Sequence, residues 1–247
     1  MSRSTLIEIF LRWHKECMKV RYGITTVNQF DWVVDKHIPS VDESQVDAIH
    51  LHLNNSLGLE YHGVQQSWWD VLTALSPEKS LIVTDFPANH GLARSWNLLC
   101  RNAFDSDCDA IIIARDWLIL DRPTITETIK ALGNQRFVHY SAVNYRPLSF
   151  FALTRELYQE IGEFDTQFWP EGFEDSDYLY RMKLMGIPVH VFNGVSFFSG
   201  DYAPSDKYDN VEQAIYHHNF RKNAEYYAQK WGGLPGYETY RTPFSRA

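Results

Sequence analysis

Three carboxylates, Glu174, Asp175 and Asp177, follow a loop of aromatic residues in the stretch "FWPEGFEDSDYLYRMKLMG". A carboxylate placed there can take a proton from a hydroxyl, and the neighbouring faces of Phe168, Trp169 and Phe173 suit a sugar ring, with Trp169 and Phe173 the candidates for binding an acceptor. Tyr178, Met182 and Met185 recur at helical spacing and Gly186 with Pro188 ends the pattern, so the acids stand at a helix N-terminus. Acids at such a position also cap free N–H groups and complement the helix dipole, by about 0.5–2 kcal/mol. Capping accounts for one or two of the three, and Asp177 is read as such a first-turn acid.

The second reactive spot lies in "AIIIARDWLIL", where a run of apolar residues ends on Arg115 and Asp116. A carboxylate there could hold a metal or contact a sugar, or simply pair with its arginine neighbour and keep the strand end soluble.

The elements that must position these groups alternate between strand and helix. Strands are expected over 20–27, 47–53, 80–86 and 109–114, with helices from Phe30 and from about Gly91 to Arg101 between them. This alternation predicts an α/β fold with a mostly parallel central sheet flanked by helices. Ligands of such sheets sit beyond the carboxyl ends of the strands. The polar residues there are Thr25, Thr26 and Asn28, then Asn54 and Asn55, then Asp85, then Arg115 and Asp116. Further strands are expected at "FVHYSAV" and "FFALT", and a short helix at "RELYQEIG".

Composition narrows the function classes. With 31 acidic against 23 basic residues, a formal charge of −8 and no run of Lys or Arg, a general electrostatic grip on nucleic acid is not expected. Cys17, Cys100 and Cys108 have no paired spacing and are expected to be free thiols of a cytoplasmic protein. The stretch "STLIEIFLRWHKECMKV" has the spacing of a docked amphipathic helix and is too short and charged to span a membrane. A polar helix carries the adjacent His217 and His218, which project about 100° apart and so do not share one metal ion easily. After it, Lys230 and Trp231 introduce a Gly-Gly-Leu-Pro-Gly loop, either a flap able to close on a bound ligand or a strap packed on the core. The division expected is a main domain over 1–205 and a C-terminal helix with flap or strap over 206–247.

These stretches together resemble the small, family-2-type glycosyltransferases of the GT-A fold found in phages and bacteria. The similarity rests on "GITTVN", "LNNS", "NHGLARSWN", "AIIIARDW", "GEFDTQFWPEGFEDSDYLYRMKLMG" and the tail "YYAQKWGGLPGYETYRTPF". It implies inverting transfer of a hexose or pentose from a nucleotide-diphosphate sugar to a hydroxyl, with Asp175 as the base and Glu174 its understudy. It also implies donor contacts from Asn54 or Asn55 to the base and from Asp85 or Arg94 to ribose or phosphate, with Asn97 at the same helix start. Where the family has an Asp-x-Asp motif holding Mn²⁺ or Mg²⁺, this chain keeps only Asp116, and Ser196 stands where a histidine ligand is usual. The resemblance therefore implies a weakly held or dispensable cation on Asp116, or Arg115 supplying the charge instead. A GT-A-like protein that binds a nucleotide or glycan without turnover is the alternative, and the acceptor could be a glycan, a virion protein or a hydroxylated DNA base.

Overall fold

The computed structural model describes residues 18–58, 60–63, 67–75, 80–140, 148–192, 197–198 and 210–245. The amphipathic N-terminal stretch, Cys17 and Ser196 lie outside these residues. Among the described residues Cys100 and Cys108 are free and buried, and no helix is long and apolar enough to cross a membrane.

Seven strands form one sheet in the order β3-β2-β1-β4-β7-β6-β8. Four of them, β1 (Val20–Thr26), β2 (Ala48–Asn54), β3 (Leu81–Phe86) and β4 (Ala110–Arg115), run parallel and end on the same edge. Beside β4 lies β7 (Phe150–Thr154), antiparallel to it and to β6 (Phe137–Tyr140), and β8 (His190–Phe192) closes the far edge parallel to β6. A separate two-stranded ribbon pairs β5 (Ile119–Leu120) with β9 (Phe197–Phe198). The order reverses at β1–β4, because chain progression from β1 goes outward through β2 and β3 before returning to β4. That reversal opens a crevice at the carboxyl ends of the strands.

The apolar run in β4 follows from burial on both faces. Ile112 and Ala114 belong to one core, with Tyr22, Ile24, Leu51 and Leu53, while Ile111 and Ile113 belong to the opposite one, with Trp96, Leu99, Phe151 and Met182. Helices α1 (Trp68–Leu75), α2 (Leu92–Asp105), α3 (Pro123–Leu132) and α4 (Arg155–Ile161) connect the strands. The first and third of these are absent from the sequence-based reading. Gly23 is needed where α2 crosses β1, since a Cβ there would stand 3.1 Å from Leu99 Cδ1. Two histidines buried in β2 share the Thr84 hydroxyl, 2.9 Å from His50 Nε2 and 3.0 Å from His52 Nδ1. Burial lowers both, to about 4 and about 3.

The acidic stretch forms α5 (Glu174–Leu184), and the tail forms the long helix α6 (Asn210–Trp231). Asp177 is not the capping acid expected from its position. Its buried carboxylate accepts from Trp231 Nε1 at 2.8 Å and Arg181 Nε at 3.0 Å, and pairs with Lys230 Nζ at 2.6 Å. Lys230 also reaches Asp165 at 2.7 Å. Of flap and strap, the geometry at Lys230 and Trp231 favours the strap: both side chains are buried in the last turn of α6, and the segment after them is tied down. Thr239 N and Tyr240 N donate to the Trp231 carbonyl, and Tyr180 Oη donates to the Tyr240 carbonyl. A buried cation between two carboxylates makes this a strap.

Candidate functional site

At the sheet edge, the residues ending β1, β2 and β4 line a cleft of about 540 Å³ including its open mouth. Thr25, Asn28, Asn54, Arg115 and Asp116 face it, together with Gln29, Asn89 and Glu171. Register explains the grouping, since Thr25 lies directly opposite Arg115 across the β1–β4 pair. Among the described residues, Thr25 Oγ1 is buried without a hydrogen-bond partner. Asn54 is fully engaged by the protein: its Nδ2 donates to Asn89 Oδ1 at 3.1 Å and its Oδ1 accepts from His90 N at 2.9 Å. It therefore shapes the loop that forms the cleft wall. Asp85 is exposed at the end of β3 and accepts from Ser56 Oγ at 2.9 Å, and Asn55 is half-buried beyond β2; neither lines this cleft.

The start of α2 reaches the cleft through Leu92, while Arg94 and Asn97, the residues expected to contact the donor, do not line it. The N–H of Leu92 is satisfied by the Pro170 carbonyl at 2.7 Å, and Arg94 is exposed outside the cleft. Asn97 is buried and clamps the backbone of Phe164, donating to its carbonyl at 2.9 Å and accepting from its N–H at 2.8 Å. Asn97→Ala is expected to lower stability by about 2–3 kcal/mol, because two buried backbone groups lose their partners. Chemical denaturation checks this, and a nucleotide affinity that stays constant for the folded variant separates a structural clamp from a donor contact.

The ion pair shown for Arg115 is with Glu171 rather than with its neighbour Asp116. Arg115 Nη2 donates to Glu171 Oε2 at 2.6 Å, with both side chains largely buried. Burial opposes the charge on Arg115, but Glu171 and then Asp116 more than compensate and hold its pKa above the ordinary arginine value. Asp116 is pushed up to about 6 by burial, against the pull of Arg115 and a hydrogen bond donated by Thr26. Its backbone is fixed from below by His37, which sits in a π-helical turn, Val33–His37. The Asp116 carbonyl accepts from His37 Nδ1–H at 3.3 Å, so His37 Nε2 accepts from Tyr22 Oη–H at 2.8 Å.

A second cleft, about 990 Å³ including its mouth, adjoins the first and shares Arg115 and Glu171 with it. Glu174, Asp175 and Ser176 form its acidic side, and Phe173, Tyr216 and Phe220 its aromatic side. Phe173 stands in the left-handed region at φ 76° as the residue before α5, against Phe220 at 5.0 Å. Glu174 is buried and accepts from Gly172 N at 2.5 Å; burial first, then Asp175 and Glu171, push its pKa well up. Asp175 is half-buried, accepts from Ser176 N at 2.6 Å, and is also raised by burial. Trp169 lies elsewhere than the acceptor side expected of it. It packs over Gly91 and its Nε1 donates to the Asn89 carbonyl at 3.3 Å, on the rim of the first cleft.

No protein-family model matches this sequence, and no curated protein sequence does either. Solved structures do match. TarS (residues 1–349) of S. aureus superposes over 83% of this chain and 70% of its own, with a TM-score of 0.54 at 11% identity. Glucosyl-3-phosphoglycerate synthase from Mycobacterium tuberculosis, crystallised with Mn²⁺, uridine diphosphate and glucosyl-3-phosphoglycerate, covers 92% of this chain and 84% of its own, with a TM-score of 0.53 at 14% identity. TarS with UDP-GlcNAc matches similarly, over 83% and 71% of the two chains, at a TM-score of 0.53 and 10% identity. The chain has the GT-A fold.

The ligand set here does not fit a firmly held divalent cation. Among the described residues no three His, Cys, Asp or Glu side chains come together to hold one. Asp116 is hydrogen-bonded to Thr26 and neighboured by the Arg115 guanidinium, and the nearby Glu171 carboxylate is taken up by that same guanidinium. His217 and His218 are both exposed on α6. Sequence reasoning missed Glu171, Asn89, Tyr216 and Phe220. Glu171 lies inside the quoted acidic block, three residues before Glu174, and an acid beside Pro170 and Gly172 was its available signal. Tyr216 and Phe220 had none, because their place depends on how α6 folds back.

Proposed function

We propose that this protein transfers a glycosyl group from a nucleoside diphosphate sugar to a hydroxyl, with inversion. The reading is carried by two adjoining clefts that meet at Arg115, one polar and bounded by the strand ends, the other holding Asp175 against an aromatic wall. The nucleotide lies in the first cleft, with its diphosphate towards Arg115. The acceptor lies in the second, its ring against Phe173 and Phe220. Its oxygen attacks the anomeric carbon on the face opposite the diphosphate while Asp175 takes the hydroxyl proton. The bond from the anomeric carbon to the diphosphate oxygen breaks, and the electron pair leaves with the diphosphate. Glu174, whose carboxyl holds the Gly172 N–H, keeps the loop and the start of α5 in place for this step. That TarS was crystallised with UDP-GlcNAc and the mycobacterial synthase with uridine diphosphate supports a nucleotide-sugar donor here.

Release of nucleoside diphosphate from a panel of UDP-, GDP-, ADP- and TDP-sugars, with and without Mn²⁺, tests the proposal. Slow hydrolysis of one donor class is expected even without an acceptor. A donor that binds but is never cleaved, with any of a panel of neutral hydroxyl acceptors present, would make the protein a nucleotide-sugar binder instead.

A further inference from the structure

The ion pair between Arg115 and Glu171 occupies the boundary of the two clefts, and both residues line both of them. We propose that Glu171 is a resident counter-ion of Arg115, occupying the place of the donor's diphosphate in the resting protein and displaced by it when the donor binds. The inference rests on the glycosyl-transfer reading for the identity of the donor, but the exchange of anions on Arg115 is a property of the pair itself.

The geometry favours an exchangeable contact. Among the described residues Arg115 is the hydrogen-bond partner shown for the Glu171 carboxylate, at 2.6 Å. The backbone that carries Glu171 is held independently: Asn223 Nδ2 donates to the carbonyls of Trp169 at 3.3 Å and Glu171 at 3.1 Å, and Phe220 closes over Gly172. The side chain can therefore turn away without moving the loop. A diphosphate brings at least two charges and several oxygens to a guanidinium fork, against one charge from the carboxylate, so it wins the exchange. Once released, the Glu171 carboxylate remains in the cleft that also holds Glu174 and Asp175. The resting pair meanwhile keeps Arg115 from holding stray anions.

The test is titration calorimetry in EDTA with inorganic pyrophosphate and, separately, UDP, on the whole chain. A competing charge-assisted hydrogen bond should weaken the resting protein for anions by about tenfold. Glu171→Gln is therefore expected to bind pyrophosphate about tenfold more tightly than the wild type, and Arg115→Gln to bind it weakly. The double variant should behave like Arg115→Gln alone, because Glu171 acts only through Arg115. Glu171→Ala serves as a second variant if the amide destabilises the loop. Unchanged affinity in both Glu171 variants overturns the proposal, as does an equal gain in the Arg115→Gln background, which would mean general charge repulsion. If the cycle holds but no nucleotide sugar is cleaved, the counter-ion role stands and the transferase reading fails. If donors are cleaved and the cycle is flat, the reverse is true.

Discussion

Asp175→Asn is expected to reduce transfer by roughly 10²–10⁴-fold while leaving donor affinity nearly unchanged. The substitution keeps shape and the acceptor oxygen for Ser176 N and Oγ, now 2.6 and 3.3 Å from the carboxylate, so the start of α5 should persist. What it removes is proton affinity. Because burial raises the Asp175 pKa, the limb of kcat/KM on the acid side should lie above the ordinary carboxylate range. The sign is fixed by the role: the base works deprotonated, so activity falls as pH falls through the raised value, and that limb should vanish in the variant. Single-turnover rates against pH, with nucleotide affinity measured in parallel, provide the check. Equal activity in Asp175→Asn would pass the role to Glu174, whose buried carboxyl is committed to the Gly172 N–H.

The strands that create the site were legible because their signal is local. Runs such as Ile111 to Ala114 bury both faces, and only a central strand in an α/β sheet does that. The strand-end rule then led to Thr25, Asn28, Arg115 and Asp116, all of which line the first cleft. Side chains next to the strand ends were less legible, since distance along the chain does not tell which way a polar group is turned. Asn97 faces Phe164, and Asn54, although it lines the cleft, is tied to its own loop through the His90 N–H. Lys230 and Trp231 left flap and strap both open for a related reason. A Gly-rich segment after a helix suggests mobility, but the acid that buries them, Asp177, is 53 and 54 residues away and its pairing is a tertiary fact. The aromatic wall of the second cleft depended most on long-range packing, because Phe220 reaches Phe173, and Tyr216 reaches Phe220, only through the return of α6.

Electrostatics, finally, favours Arg115 over Asp116 at the end of β4. Burial pushes Asp116 up to about 6 against the pull of the guanidinium beside it, and that guanidinium would also repel a divalent cation. Arg115, held charged by Glu171 and Asp116, is the group able to stabilise the departing diphosphate. Transfer is therefore expected to survive EDTA. Arg115→Ala should raise the barrier by about 2–4 kcal/mol, the scale for losing one preorganised charge-stabilising group, which is roughly 30- to 1,000-fold in rate. Asp116→Asn should leave diphosphate affinity equal or stronger, since an anion that would repel the ligand is gone. The opposite pattern is equally distinct. Activity lost in EDTA and restored by Mn²⁺, together with a large loss in Asp116→Asn and little in Arg115→Ala, would assign the work to a cation on Asp116. Rates of the wild type and both variants in EDTA and in Mn²⁺ separate the two, because a guanidinium cannot be chelated away.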